Sequence, residues 1–282
     1  MELLKFSGFD LSHPTPAPLP INLKLFEEEG ELCTDPSHYR SLVGKLNFLS
    51  NTRPDLSFAV QTLSQFLHYP RQPHMHALTH VLRYIAGTIG QGIFLQGGAD
   101  LHLTAFSDAD WAACPNSRRS VTGYLLLLGK SPISWKSKKQ TVVSRSYSES
   151  EYRAMASAAS EVTWMVNLLQ ELGVSNLAPV TLNCDNQSAI HIAKNPVHHE
   201  RTKHIEIDVH FTRDKVLDGL LHLAYMPTED QLADLFTKTL PSPRFRMLLS
   251  KLGLVDPSLR GGIGATEFVV VSRQLSSWLL QV

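Results

Sequence analysis

The chain has 282 residues, 43% hydrophobic and 18% charged, a globular composition long enough to bury one large core or two small ones. Its 26 basic and 26 acidic residues cancel, which excludes a global field toward nucleic acid. Any such footprint is local: Arg118-Arg119, Lys136 with Lys138 and Lys139, and Arg201 with Lys203. The start, MELLKFSGFD, lacks the basic stretch and apolar run of a signal peptide, and apolar runs such as 124–128 and 268–271 are too short to span a bilayer. The expectation is a soluble intracellular chain with no membrane partner. Cys33, Cys114 and Cys184 have neither zinc-ligand spacing nor the even count of a disulfide framework, which fits a reducing compartment.

In chain order, residues 1–34 are Pro-rich and without sustained periodicity, an extended lead-in expected to have no core of its own. Asp35 can cap a helix to about Ser50. Thr52 and Pro54 start a second, with Leu56, Val60, Leu63 and Leu67 on one face. A third buries Leu78, Val81, Leu82 and Ile85 and stops at Gly87. After Gly92 the period becomes two. Strands are expected at about 100–108, 121–128 and 131–136, then a long helix at about 147–172 and a strand at 180–184. Helices at 186–194 and about 203–217, a strand at 220–226 and a last helix from about 229 follow. Three strands in series make an antiparallel meander, and the fourth arrives through a helix as a parallel crossover requires. The fold class is therefore α/β, one mixed five-stranded sheet flanked by helices and preceded by a small all-helical segment. The division is 1–34 lead-in, 35–96 helical segment, 97–255 sheet domain and 256–282 poorly ordered tail.

Four acids fall where this topology brings them together. Asp108 ends the first strand on the face of His102, Thr104 and Phe106, and alternation alone does not separate it from Asp110. Glu151 precedes Met155 by four residues and so lies on the apolar stripe of the long helix, although Ser148-x-x-Glu151 also fits a capping box. Glu149 points elsewhere and completes the box Ser146-x-x-Glu149. Asp185 follows a strand end and reads equally as a helix cap. Asp234 lies in the second turn of a helix started by Thr228-x-x-Gln231, where a solvated surface acid is the simpler reading. Acids with no matching cationic neighbour point to a divalent cation, and hard oxygen ligands select Mg²⁺ or Mn²⁺. Two such ions about 4 Å apart suit phosphodiester hydrolysis.

The ordered motifs YRSLVGKLNFLSNTRPDLSFAV, LRYIAGT, SDADWA, RRSVTGY, ISWKSKKQ, SESEYRAMA, CDNQSAI, NPVHHERTKHIEI and QLADLFTK identify a family. Over roughly 20–255 the chain resembles the C-terminal part of the Pol polyprotein of copia-type LTR retrotransposons: the end of the reverse transcriptase region plus a ribonuclease H domain. The resemblance implies a ribonuclease H-like fold and a metal-dependent endonuclease acting on the RNA strand of RNA–DNA hybrids. It places the catalytic, metal-holding acids on Asp108, Glu151, Asp185 and Asp234, with two Mg²⁺ ions for which Mn²⁺ can substitute. Segment 35–87 would be a connection module that positions the hybrid. The polymerase Tyr-x-Asp-Asp hairpin is missing from these residues, so polymerisation is not expected, and the upstream polymerase part of Pol is a candidate partner.

Lys136, Lys138 and Lys139, with Arg145 as a weaker candidate, are expected to hold phosphates, against the alternative of an ordinary solvated basic turn. The loop YMPTED lacks the His of cellular ribonucleases H, which implies slow cleavage or partial substitution by His204 or His210. His74, His76 and His80 read as surface residues. Two rival readings are a non-catalytic nucleic-acid-binding relic of a truncated Pol and an integrase. The integrase fits less well, because its Glu normally comes last of the acids and here it comes second. The expected location is a cytoplasmic virus-like particle or the nucleus.

Overall fold

The computed structural model describes residues 2–95, 101–194 and 206–255, which fall into two units, one within Met1–Leu95 and Thr239–Val282 and the other within Gln96–Lys238. His204 and the tail 256–282 lie outside the described residues. None of the described helices is long and apolar enough to cross a membrane.

The first unit is mostly helical. After α1 (Glu2–Ser7), α2 (Pro36–Leu49) opens where Asp35 accepts a hydrogen bond from the His38 N–H at 2.9 Å, the cap its sequence suggests. A 3₁₀ turn, Pro54–Leu56, leads into α3 (Ser57–Ser64), and α4 (Gln72–Ala86) follows. Leu42, Leu46, Leu63, Leu78 and Leu82 are fully buried among them. The Arg53 guanidinium grips Asp55 through Nε (2.9 Å) and Nη2 (2.7 Å), and the Tyr84 hydroxyl donates to the same carboxylate.

Two expectations fail in this unit. Residues 1–34 do contribute core, with Ala17, Leu19, Leu25 and Cys33 buried. Their irregular backbone can be buried because α4 side chains and the residue before them take its carbonyls: Arg71 donates to Glu27 O and Gly30 O, and His74 Nε2 to Phe26 O at 3.0 Å. His74 is therefore not a surface residue. It is fully buried and stacked on Phe66, and its Nδ1 accepts from the Arg71 N–H. A short strand, β1 (Gly92–Ile93), ends this part of the chain.

The second unit holds the sheet: β2 (Leu103–Asp110), β3 (Val121–Leu128), β4 (Ser131–Lys139), β5 (Val180–Cys184) and β6 (Leu221–Tyr225). Between them run α5 (Tyr147–Glu171), α6 (Gln187–Lys194) and α7 (Glu206–Leu217). Spatial order is β4-β3-β2-β5-β6, antiparallel across β4-β3-β2 and parallel across β2-β5 and β5-β6, the mixed sheet the meander and crossover predict. Gly129, at φ +58°, opens the two-residue turn between β3 and β4, the conformation a tight hairpin needs there. The α5 stripe Met155, Ala158, Ala159, Val162 and Val166 is buried against Leu103, Ala105, Leu126, Leu182 and Leu223. Its alanines and small residues let the helix lie close to the strands.

After β6 the expected helix from 229 does not form. Two 3₁₀ turns, Thr228–Asp230 and Leu232–Phe236, stand in its place. Thr228 and Gln231 are drawn off the helical box: Thr228 Oγ1 bonds Asp185, and Gln231 Nε2 donates to Ser107 O at 3.0 Å. The chain then returns to the first unit through α8 (Ser242–Lys251) and β7 (Leu254–Val255), which pairs antiparallel with β1. Residues 239–255 thus group with the helices, so the sheet unit ends at Lys238 and not at 255.

Candidate active site

β2 and β5 are parallel neighbours whose onward connections leave in opposite directions, β2 to β3 and β5 to β6. The crevice beyond their carboxyl ends is a topological switch point, the usual ligand position in open α/β sheets. Asp108 sits near the end of β2 and Asp185 immediately follows β5. Glu151 arrives on the first turns of α5, and Asp234 on the second 3₁₀ turn.

The Glu151 carboxylate resolves its capping alternative. Ser146 caps α5, accepting from the Glu149 N–H at 3.2 Å, while Glu149 bonds the Arg145 N–H and Arg153. Glu151 is left to reach inward, where Oε1 accepts from the Ala109 N–H at 3.3 Å. It is fully buried. Asp108 is fully buried too. It accepts from the Thr237 hydroxyl and faces Lys238, whereas Asp110 is only half-buried at the end of the strand. Asp185 does not act as a cap: its Oδ2 accepts from Thr228 Oγ1 at 2.7 Å, and its buried Oδ1 has no hydrogen-bond partner among the described residues. The cap of α6 is Asn186, whose Oδ1 accepts from the Ala189 N–H at 2.8 Å. Asp234 is not a solvated surface acid but fully buried, on a 3₁₀ turn whose Ala233 and Phe236 lie against Gly123 of β3.

Electrostatics follow from this crowding. Burial, with Asp234 and Asp185 nearby, pushes Asp108 up to about 6, against the pull of Lys238 and the Thr237 hydroxyl. Burial, then Asp108 and Asp185, push Glu151 well above the usual carboxylate range, against the hydrogen bonds from Tyr147 and Ala109. The Cys184 thiol, fully buried beside Glu151 Oε2 at 3.9 Å, is pushed up by burial. Oxygens of Glu151 and Asp185 and the Cys184 sulfur lie within 4.8 Å of one another, a set that can hold a metal ion. Raised carboxylates and an unpartnered buried oxygen are what a divalent cation would relieve, so the donor set fits one.

One residue was missed. The acids do have a cationic neighbour, contrary to the sequence reading: Lys238 Nζ lies 2.8 Å from Asp234 Oδ1 and 3.3 Å from Asp108 Oδ2. Its spacing from Asp234, one helical turn along QLADLFTK, was the available signal. Three of the expected phosphate contacts line a groove in which none of the four acids takes part. Lys136, Lys138 and Arg145 are exposed, while Lys139 is half-buried with Nζ 3.8 Å from Cys114 Sγ. The three lysines line a groove of about 470 Å³ with Arg153, Glu161 and Asp208. His210 is exposed on α7.

The strand order, strand directions and flanking helices define a ribonuclease H-like α/β unit. The sequence places it further. The chain is 45% identical over 260 residues to the Retrovirus-related Pol polyprotein from transposon RE1 of Arabidopsis thaliana, covering 92% of this chain and 18% of that protein. It is 42% identical over 163 residues to an uncharacterized mitochondrial protein of the same plant, covering 58% of this chain and 68% of that one. The chain belongs to the Pol polyproteins of copia-type retrotransposons and spans about a fifth of the length of the RE1 polyprotein. No family model matches it. Among solved structures, RNase H1 from the archaeon Halobacterium salinarum aligns over 48% of this chain and 94% of its own at 13% identity and TM-score 0.34, too low to add to the topology.

Proposed function

We propose that the sheet unit is a metal-dependent endonuclease that hydrolyses the RNA strand of RNA–DNA hybrids during retrotransposon reverse transcription. The observation that carries this reading is the meeting of Asp108 of β2, Glu151 of α5, Asp185 just after β5 and Asp234 of the second 3₁₀ turn at the switch-point crevice. These four would hold two Mg²⁺ ions, or Mn²⁺, whose chemistry is to activate a water and stabilise the leaving oxygen. The chain's own residues prepare the site. The Ala109 N–H holds Glu151 toward β2, and Thr228 holds one oxygen of Asp185 while the other stays buried without a hydrogen-bond partner among the described residues. Lys136, Lys138, Lys139 and Arg145 would bear on phosphates, giving salt-dependent affinity without sequence preference. Discrimination of RNA would come from helix shape and 2′-hydroxyl contacts. The upstream polymerase part of Pol, and a virus-like particle or the nucleus, would be the working context.

The test is Asp185→Asn in the 282-residue chain. Cleavage of a labelled hybrid should be lost while circular dichroism and hybrid affinity persist. Wild-type-like cutting by that variant would sink the site assignment. One observation favours a second reading, a hybrid-binding relic: Lys238 already neutralises part of the acidic charge. Binding without turnover in saturating Mn²⁺ would select it.

A further inference from the structure

We propose that Lys238 is a built-in counter-ion standing where one of the two metal ions would bind, so that metal loading at Asp108 and Asp234 proceeds by displacement of its ammonium group. The inference rests on the reading of the four acids as a divalent-metal site. Both carboxylates are fully buried, and Nζ reaches both, at 2.8 Å and 3.3 Å. Once both are ionised, these desolvated charges need a cation beside them. A divalent ion held by the same two carboxylates would need the volume that the ammonium now fills. Two cations at that separation repel strongly, so they exclude one another.

The local fold supports exchange. Thr237 and Lys238 are consecutive, and both serve Asp108; the Thr237 hydroxyl stays with Asp108 when the lysine leaves. Lys238 itself is 28% exposed, and its four-carbon stem lets the ammonium swing to water. The other half of the site is different. Glu151 and Asp185 have no ion pair with Lys or Arg among the described residues, and Asp185 Oδ1 is buried without a hydrogen bond. The two halves should therefore load unequally: Glu151 and Asp185 first, then Asp108 and Asp234 at the cost of moving Lys238.

Calorimetric titration of Mn²⁺ into the 282-residue chain tests this. Wild type should show one tighter and one weaker ion. In Lys238→Gln the weaker step should tighten about tenfold, because the competing conformer is gone, whereas Lys238→Arg should leave it weak. Independently of any variant, acylation of Lys238 by an amine-directed reagent, read by mass spectrometry, should rise when Mn²⁺ is added. An unchanged weak step in Lys238→Gln, or Lys238 reactivity unmoved by bound Mn²⁺, overturns the proposal and leaves the metal site standing. No Mn²⁺ bound by wild type or either variant overturns the metal reading and this inference together.

Discussion

Glu151 Oε1 accepts a hydrogen bond from the Ala109 N–H at 3.3 Å, tying the carboxylate of α5 to the backbone one residue past Asp108. The hydrogen bonds from Ala109 and Tyr147 do not offset the burial of a charge beside two other acids. The site is thus held at the expense of stability. Glu151→Gln should raise the melting temperature of the metal-free chain by a few degrees, as about 1 kcal/mol would do in a domain of this size, and should abolish cleavage. Scanning calorimetry beside a hybrid-cleavage assay checks both halves, and a lowered melting temperature would contradict the repulsion argument.

Gly123 has a reason that lies in the site. A Cβ there would meet Thr237 Cγ2 at 2.7 Å, Phe236 Cβ at 2.8 Å and Ala233 O at 2.9 Å, all on or beside the turn that carries Asp234. Gly123→Ala should push this turn off β3 and cost about 1–3 kcal/mol, the usual price of overpacking. Cleavage should fall more than hybrid binding, since Asp234 moves while the exposed lysines of β4 do not. Denaturant unfolding and a kcat-against-KM comparison measure the two effects. Equal losses in both would argue for general unfolding instead.

Asp108 gives a pH dependence whose sign can be worked out. Its carboxyl is raised from an ordinary value of 3.8 to about 6 in the folded chain, chiefly by burial. The folded state therefore holds the proton more tightly than the unfolded state. The stabilisation is complete below about pH 4 and is lost as pH rises through about 6. Metal-free wild type should lose stability across that window relative to Asp108→Asn. Added Mn²⁺ should reverse the trend, because it binds the deprotonated folded form. Melting curves at several pH values, with and without Mn²⁺, test this; parallel curves for the two proteins would refute it.

In the helical unit, the Arg53–Asp55 pair is buried on both sides and joined by the Tyr84 hydroxyl. Removing one partner leaves an uncompensated buried charge. Arg53→Met should cost about 3–5 kcal/mol, and Arg53→Met with Asp55→Leu should recover part of that loss. Denaturant titration of the single and double variants decides it, and a double variant no better than Arg53→Met would exclude charge burial as the cause.

The elements of the sheet unit were legible because their signals are local: alternation along β2, the apolar run of β3, and a 3.6-residue apolar stripe on α5. That stripe also points Glu151 inward. The segment after β6 was not legible. Thr228 and Gln231 match a helix start, but tertiary partners, Asp185 and Ser107 O, take both side chains. The same failure hid the burial of Asp234. His74 was misread as a surface residue because its two partners, the Arg71 N–H and Phe26 O, come from irregular backbone that no period marks. Lys238 is hidden in the sequence because a lysine one helical turn from an acid ordinarily reads as surface.

Cleavage itself tests the central claim most directly. A hybrid labelled separately on each strand, incubated with the 282-residue chain in Mg²⁺ and then Mn²⁺, reports metal dependence and strand choice at once. The four-carboxylate site predicts cutting of the RNA strand alone, lost on adding chelator and on Asp185→Asn. An intact RNA strand in saturating metal, with the protein shown to be folded and bound to the hybrid, would contradict it.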